Sequence, residues 1–170
     1  MVRLSKLADY AVVVLMRLDA TPPGAVQTAP GIAQATGVAE PTVAKVLKQL
    51  GQAGLVASTR GARGGYALAR PLGRVSIADV IAAVEGPVAL TACVDGATHV
   101  CECEGACQVR GRWDMVNNAI RQALAAITLA DMIEGALPPG LRQPPANPGV
   151  ANAAAPPVSA VAASAAGAAE

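Results

Sequence analysis

Four cysteines fall within 15 residues, spaced Cys93-x7-Cys101-x-Cys103-x3-Cys107, and the 170-residue chain has no others. Core cysteines would be scattered through helices, so the clustering argues for shared ligation by thiolates. The Cys-x2-Cys pairs of zinc ribbons and knuckles are missing. Thiolates spread along an irregular loop suit an iron–sulfur cluster, which is larger than one ion and accepts well-separated ligands. Zinc, a thiol–disulfide redox switch and plain structural thiols stay open as alternatives at this point. His99, the only histidine, lies in the same loop, as a further donor or as a solvated side chain. One histidine, no nucleophile motif and no phosphate-binding loop give no basis for an enzyme.

The segments ahead of this loop carry a different chemistry. Leu4, Leu7, Ala11, Val14, Leu15 and Leu18 recur at helical spacing and predict a helix over residues 5–19, ended by Thr21-Pro22-Pro23-Gly24. Residues 32–38 predict a short second helix, in which Ala33 permits close contact and Gly37 supplies the turn of a helix-turn-helix. Glu40-Pro41 opens a third helix, with Pro where a missing N–H costs nothing. Val43, Val46, Leu47 and Leu50 form its apolar face, and Thr42, Lys45, Lys48, Gln49 and Gln52 lie mostly off it. That is the pattern of a recognition helix, apolar inward and cationic or amide groups toward a major groove. After Gly54 the period becomes two, predicting strands over 55–60 and 66–70 around Gly61-Ala62-Arg63-Gly64-Gly65. A hairpin in this place is a wing. Arg60 and Arg63 at its tip would reach phosphates or a narrow minor groove, with Ser58, Gly64, Gly65 and Tyr66 completing the expected DNA-binding set.

Flanking the cysteines are two helical patterns. Ser76, with Asp79 three residues on, starts a helix whose buried face is Ile77, Val80, Ile81 and Val84, stopped by Gly86-Pro87. From about residue 109 a long helix carries Trp113, Val116, Ile120, Ala123, Leu124 and Ile127 along one side, either a dimer element or a face packed on its own domain. Thr128-Leu129-Ala130-Asp131 caps a short final helix.

Charge separates along the chain: residues 1–74 carry a net +6 and residues 75–137 a net −5, which suits one surface for a polyanion and another for something else. With no Phe and 2% aromatics, any core must be aliphatic. The expected organisation is a winged helix-turn-helix at 1–75, a cysteine loop with dimerisation helices at 76–137, and an Ala/Pro-rich disordered tail at 138–170. The fold class is mainly α with a small β wing, a winged helix-turn-helix plus a long dimerisation helix. No apolar run reaches the ~20 residues of a membrane span and no signal-peptide pattern opens the chain, so a cytoplasmic protein is expected.

Several motifs together resemble iron–sulfur-sensing winged-helix regulators of the IscR, NsrR and RirA type, over about residues 1–135. They are Arg3-Leu4-Ser5-Lys6-Leu7-Ala8-Asp9-Tyr10-Ala11, Ala53-Gly54-Leu55-Val56, the wing from Ser58 to Ala69, Ile77-Ala78-Asp79-Val80-Ile81 and the cysteine loop. The opening and the Cys-Gln-Val-Arg-Gly run with Trp113 look most similar to the subgroup that regulates the SUF iron–sulfur assembly operon. The resemblance implies a homodimer on a palindromic operator in double-stranded DNA, and a 2Fe–2S or 4Fe–4S cluster held by Cys93, Cys101 and Cys107, with Cys103 as the alternative ligand. The histidine that some members place three residues after the last cysteine is Arg110 here. The aspartate that NsrR-type members supply from the partner subunit matches Asp9, with Glu102, Glu104 and His99 as competitors. The recognition helix has Pro41 and Ala44 at polar base-contacting positions, so no operator sequence carries over. Nitric-oxide or redox sensing on the same fold, and an iron–sulfur carrier or scaffold, are the other functions this chemistry allows.

Overall fold

Ser5 ends the extended entry to the first helix: its Oγ accepts from the Ala8 N–H and its own N–H donates to Glu85 Oε1 at 2.7 Å. In the computed structural model, which describes residues 4–22, 24–61, 63–94, 97, 107, 109 and 111–141, α1 (Lys6–Asp19) is followed by α2 (Ala29–Thr36), α3 (Glu40–Gln52), β1 (Val56–Thr59) and β2 (Gly65–Leu68). Then come α4 (Ile77–Glu85), α5 (Trp113–Ala126) and α6 (Leu129–Glu134), with short 3-10 turns at Leu72–Arg74 and Pro139–Leu141.

The periodic apolar positions meet in one aliphatic core. Ala11, Val14, Leu15 and Leu18 of α1 pack with Ile32 of α2 and Val43, Val46, Leu47 and Leu50 of α3. Leu55 and Val56 close it from the hairpin. Each fully buried Leu or Val contributes roughly 1.5–3 kcal/mol of apolar burial, so a core without large aromatics depends on many such residues. Gly37 ends α2 at φ +73°, its N–H bonding to Ala33 O, and turns the chain into α3.

The hairpin is antiparallel, in the register Val56↔Leu68, Ala57↔Ala67, Ser58↔Tyr66 and Thr59↔Gly65. Gln27 adds a single bridge on its outer side, exchanging both hydrogen bonds with Tyr66 at 2.9 and 2.8 Å. This approach requires Gly65, where a Cβ would lie 2.7 Å from Gln27 O. The Gln27 side chain also bonds to Thr21, tying the wing's edge to the end of α1.

The core continues across the expected boundary at 75/76. Val75, Val80 of α4 and Leu129 of α6 belong to the same buried cluster as α1–α3. Ile77 N donates to Ile127 O and Leu129 N to Val75 O, both at 2.9 Å, and both flanking helices begin with reciprocal capping boxes, Ser76–Asp79 and Thr128–Asp131. The helix expected from residue 109 starts instead at Trp113, because Gly111 sits at φ +71° in a turn ahead of it. At 14 residues α5 is as long as α1 and no longer. The strands are shorter than expected, 56–59 and 65–68, and α2 begins three residues early, at Ala29, behind an N-cap on Thr28. Beyond Leu141 the expected tail lies outside the described residues.

Two outcomes follow for stability. Leu129→Ala empties a fully buried site shared by α6 and the helix-turn-helix; a loss of about 2–5 kcal/mol in denaturant unfolding is expected, in a single transition. The Thr128 hydroxyl and N–H both donate to Asp131, holding its carboxyl below the ordinary 3.8. A depressed folded pKa stabilises above the unfolded value and fades as pH falls through the folded one. The melting-temperature gap between the native chain and Asp131→Asn should therefore be constant above about pH 4 and shrink below it.

Candidate nucleic-acid interface and cysteine segment

Helix α3 is held by its apolar face, so the opposite face is free to bind. Val43, Val46, Leu47 and Leu50 are fully buried, while Pro41, Ala44, Lys45 and Lys48 are exposed and Thr42 is half-buried at the edge. Gln49 departs from the expected set. Its Nε2 donates to Val84 O of α4 at 3.2 Å, so its amide serves the α3–α4 packing and does not face outward. The reason is helical geometry: Gln49 lies three and two positions from buried Val46 and Leu47, on the flank that meets α4.

The wing follows α3 directly. Ser58, Thr59, Arg60 and Arg63 are exposed at its tip, around Gly61 at φ +113°. Gly64 is required by close packing, since a Cβ there would strike Thr59 O. Tyr66 is half-buried against the core and lines two clefts beside the hairpin. The first, about 500 Å3, runs between α3 and the wing, past Lys48, Gly51, Gln52 and Ser58. The second, about 350 Å3, joins the wing residues Ser58–Gly61 to Thr28 and Ala29 at the start of α2. The positive end of the α2 dipole thus opens beside Arg60, an arrangement suited to phosphate. Thr28 and Ala29 were not foreseen, although Thr28-Ala29-Pro30 is a legible helix start. Among the described residues the one ion pair is Arg70–Asp79, which leaves Lys45, Lys48, Arg60 and Arg63 without acidic partners.

Residues 88–94 run from the end of α4 toward the cysteines. Asn117 of α5, only 2% exposed, grips this segment: its Nδ2 donates to Val88 O at 3.0 Å and its Oδ1 accepts from Leu90 N at 3.1 Å. Sequence reasoning missed it; the signal was an amide within the apolar stripe of α5. Cys93 and Cys107 are free thiols, each half-buried, and Cys93 Sγ lies 3.2 Å from Thr91 Oγ1. Cys101, Cys103, His99, Glu102, Glu104 and Arg110 lie outside the described residues. Asp9 is exposed, on the rim of a groove of about 350 Å3 between α1, Ile77 and Ile81 of α4, and Met132 of α6. Among the described residues no three His, Cys, Asp or Glu side chains come together as a metal site. Two soft thiols within reach of solvent nonetheless have the donor chemistry that an iron–sulfur cluster requires.

A family model described as Rrf2, iron-dependent transcriptional regulator, matches residues 4–135. An HTH-type transcriptional regulator of Mycobacterium tuberculosis (strain ATCC 25618 / H37Rv) is 33% identical over 141 residues, covering 83% of this chain and 87% of that protein. Among solved structures, CymR, the global cysteine regulator of B. subtilis, is similar with TM-score 0.61 at 26% identity, over 79% of this chain and 98% of that one. IscR of T. potens is similar with TM-score 0.57 at 28% identity, over 79% of this chain and 88% of that one. The mainly helical architecture with a two-stranded wing is therefore that of winged-helix regulators. None of the described helices is long and apolar enough to cross a membrane.

Lys48→Ala and Arg60→Ala should each weaken DNA binding and lower the slope of log affinity against log salt by about 0.9 per lost phosphate contact, as read by fluorescence anisotropy. Gln49→Ala should leave that slope unchanged and lower the unfolding midpoint instead.

Proposed function

The chain belongs to the Rrf2 family of DNA-binding transcriptional regulators, and on that premise we propose that an iron–sulfur cluster held by its cysteine segment sets its affinity for a palindromic operator. Regulators of this family are not enzymes, and the family includes iron–sulfur proteins such as IscR. The observation that carries the proposal is the donor set: four thiols within 15 residues, two of them free and half-buried where the segment leaves and rejoins the helical body.

Cys93, Cys101 and Cys107 would hold the cluster, with Cys103 as the alternative third thiolate and Asp9 of a second copy as a further ligand. When bound, the cluster supplies a redox- and iron-sensitive crosslink between parts of the loop. The protein's own residues do the rest. Lys45, Lys48, Arg60 and Arg63, with Thr42, Ser58 and the backbone at Gly64, Gly65 and Tyr66, meet one half-site. A homodimer presents two such surfaces. Trp113 at 40% exposure, Val116 at 39% and Met115 at 75% offer α5 as its contact. Half-sites of a palindrome lie about 34 Å apart, so a small rotation of one protomer against the other takes the second recognition helix out of register. On this reading its targets would be genes for iron–sulfur assembly of the SUF type, and its place of action the cytoplasm.

The similarity to CymR favours a second reading, in which the same half-buried thiols respond to oxidation or nitric oxide without a stored cluster. A carrier or scaffold role is disfavoured by the cations on α3 and the wing, which cluster transfer does not need.

Anaerobic purification separates these readings. A brown protein with stoichiometric iron and sulfide is expected, and Cys107→Ala should abolish its visible absorption. Asp9→Ala should shift that spectrum or shorten the cluster's lifetime, and an unchanged spectrum and lifetime remove Asp9 from the ligand set. A colourless protein with operator affinity set by thiol oxidation would replace the cluster reading with the second.

A further inference from the structure

Asn117 is the one buried polar side chain among the described residues. Its carboxamide is spent on the backbone of the segment that leads to Cys93. Donating to Val88 O and accepting from Leu90 N, it imitates a neighbouring strand, because a peptide-like group facing residues i and i+2 satisfies both with one plane. Only an amide does this. A carboxylate of the same size keeps the bond from Leu90 N but sets an oxygen against the Val88 carbonyl, and an aliphatic group loses both bonds in a site that water does not reach.

The position of this latch gives it a consequence. Two residues separate Leu90 from Cys93, and Val94 beyond it is buried again at 5% exposure. Cys93 therefore sits on a short tether pinned on both sides, and a displacement of its sulfur is carried to one pin or the other. On α5, Asn117 lies one turn after Trp113 and one turn before Ile120, on the same helical face. The far end of α5 is tied separately, through Ile127 O to Ile77 N at the start of α4. Besides its packing along α4, the helix thus has one hydrogen-bonded tie at the start of α4 and one in the cysteine segment, with exposed Trp113 and Val116 beside the second.

We propose that Asn117 is a positioning residue that transmits a change of state at Cys93, whether ligation or oxidation, to the N-terminal half of α5. The link itself needs only the thiol and the latch; its use in regulation rests on the reading of Cys93 as a ligand or sensor.

The test uses the full chain with Cys101, Cys103 and Cys107 replaced by Ser, so that Cys93 is the sole thiol, and iodoacetamide as the probe. Alkylating Cys93 should accelerate amide exchange at Leu90 and at residues 117–121 of α5 about tenfold, the scale of one lost net hydrogen bond. In Asn117→Asp and Asn117→Ala, the Leu90 amide should already exchange fast, and alkylation should add nothing at α5. The proposal is overturned if α5 exchange ignores alkylation while Asn117 is intact, if it responds equally in the variants, or if the variants accelerate exchange uniformly through α1–α3. With native thiols and iron plus sulfide reconstitution, the ratio of operator affinities between loaded and stripped protein should collapse toward one in Asn117→Asp. If the unsubstituted protein takes up no iron, the cluster reading fails alone, and the alkylation result still decides the role of Asn117.

Discussion

Residues 75–77 and 127–129 pair through two backbone hydrogen bonds, and that pairing sets the starts of α4 and α6 against the helix-turn-helix. It sits between two capping boxes, so the starts of α4 and α6 are fixed side by side, and it drops Leu129 into the core built by α1, α2 and α3. Each of these bonds is worth only about 1 kcal/mol net. Their effect is geometric: a segment far along the chain becomes part of the wall behind the recognition helix. Helix α4 packs against α5 on one side and meets α3 through the Gln49 amide on another.

The two halves of opposite charge consequently share one apolar interior. The cations of α3 and the wing are exposed and form no ion pair among the described residues. The Arg70–Asp79 ion pair joins the halves where they meet and reinforces the cap of α4. At 40% and 41% side-chain exposure it contributes little energy and serves mainly to orient. Glycine acts where backbones come too close for any side chain, at Gly64 within the wing and Gly65 against Gln27. The wing's shape is thus set by steric contact rather than by its arginines.

Much of this was legible from residue order. The faces of α1, α3 and α4, the turn at Gly37, both capping boxes and the existence of the wing all follow from local periodicity and end signals. Local rules failed where a distant partner intervened. Gln49 reads as outward-facing until α4 is placed beside it, and α5 reads as longer until Gly111 adopts a left-handed turn. The start of α2 was readable at Thr28 and Pro30 but was overshadowed by the stronger apolar signal after it. Asn117 is the clearest loss: on the helix alone it is a polar interruption of an apolar stripe.

Sequence by itself determined which chemistries are present, because thiol clustering, cation placement and hydrophobic period are properties of residue type and spacing. It also determined the class of fold, since helix faces and a period-two hairpin are written within a few residues of each other. Only the tertiary structure decided that α4 and α6 share one interior with α1–α3, that Gln49 is internal, and that a buried amide holds the approach to Cys93. Those facts depend on which backbone groups are left unpaired once the chain is folded, and a buried N–H or carbonyl selects its partner through space rather than along the chain.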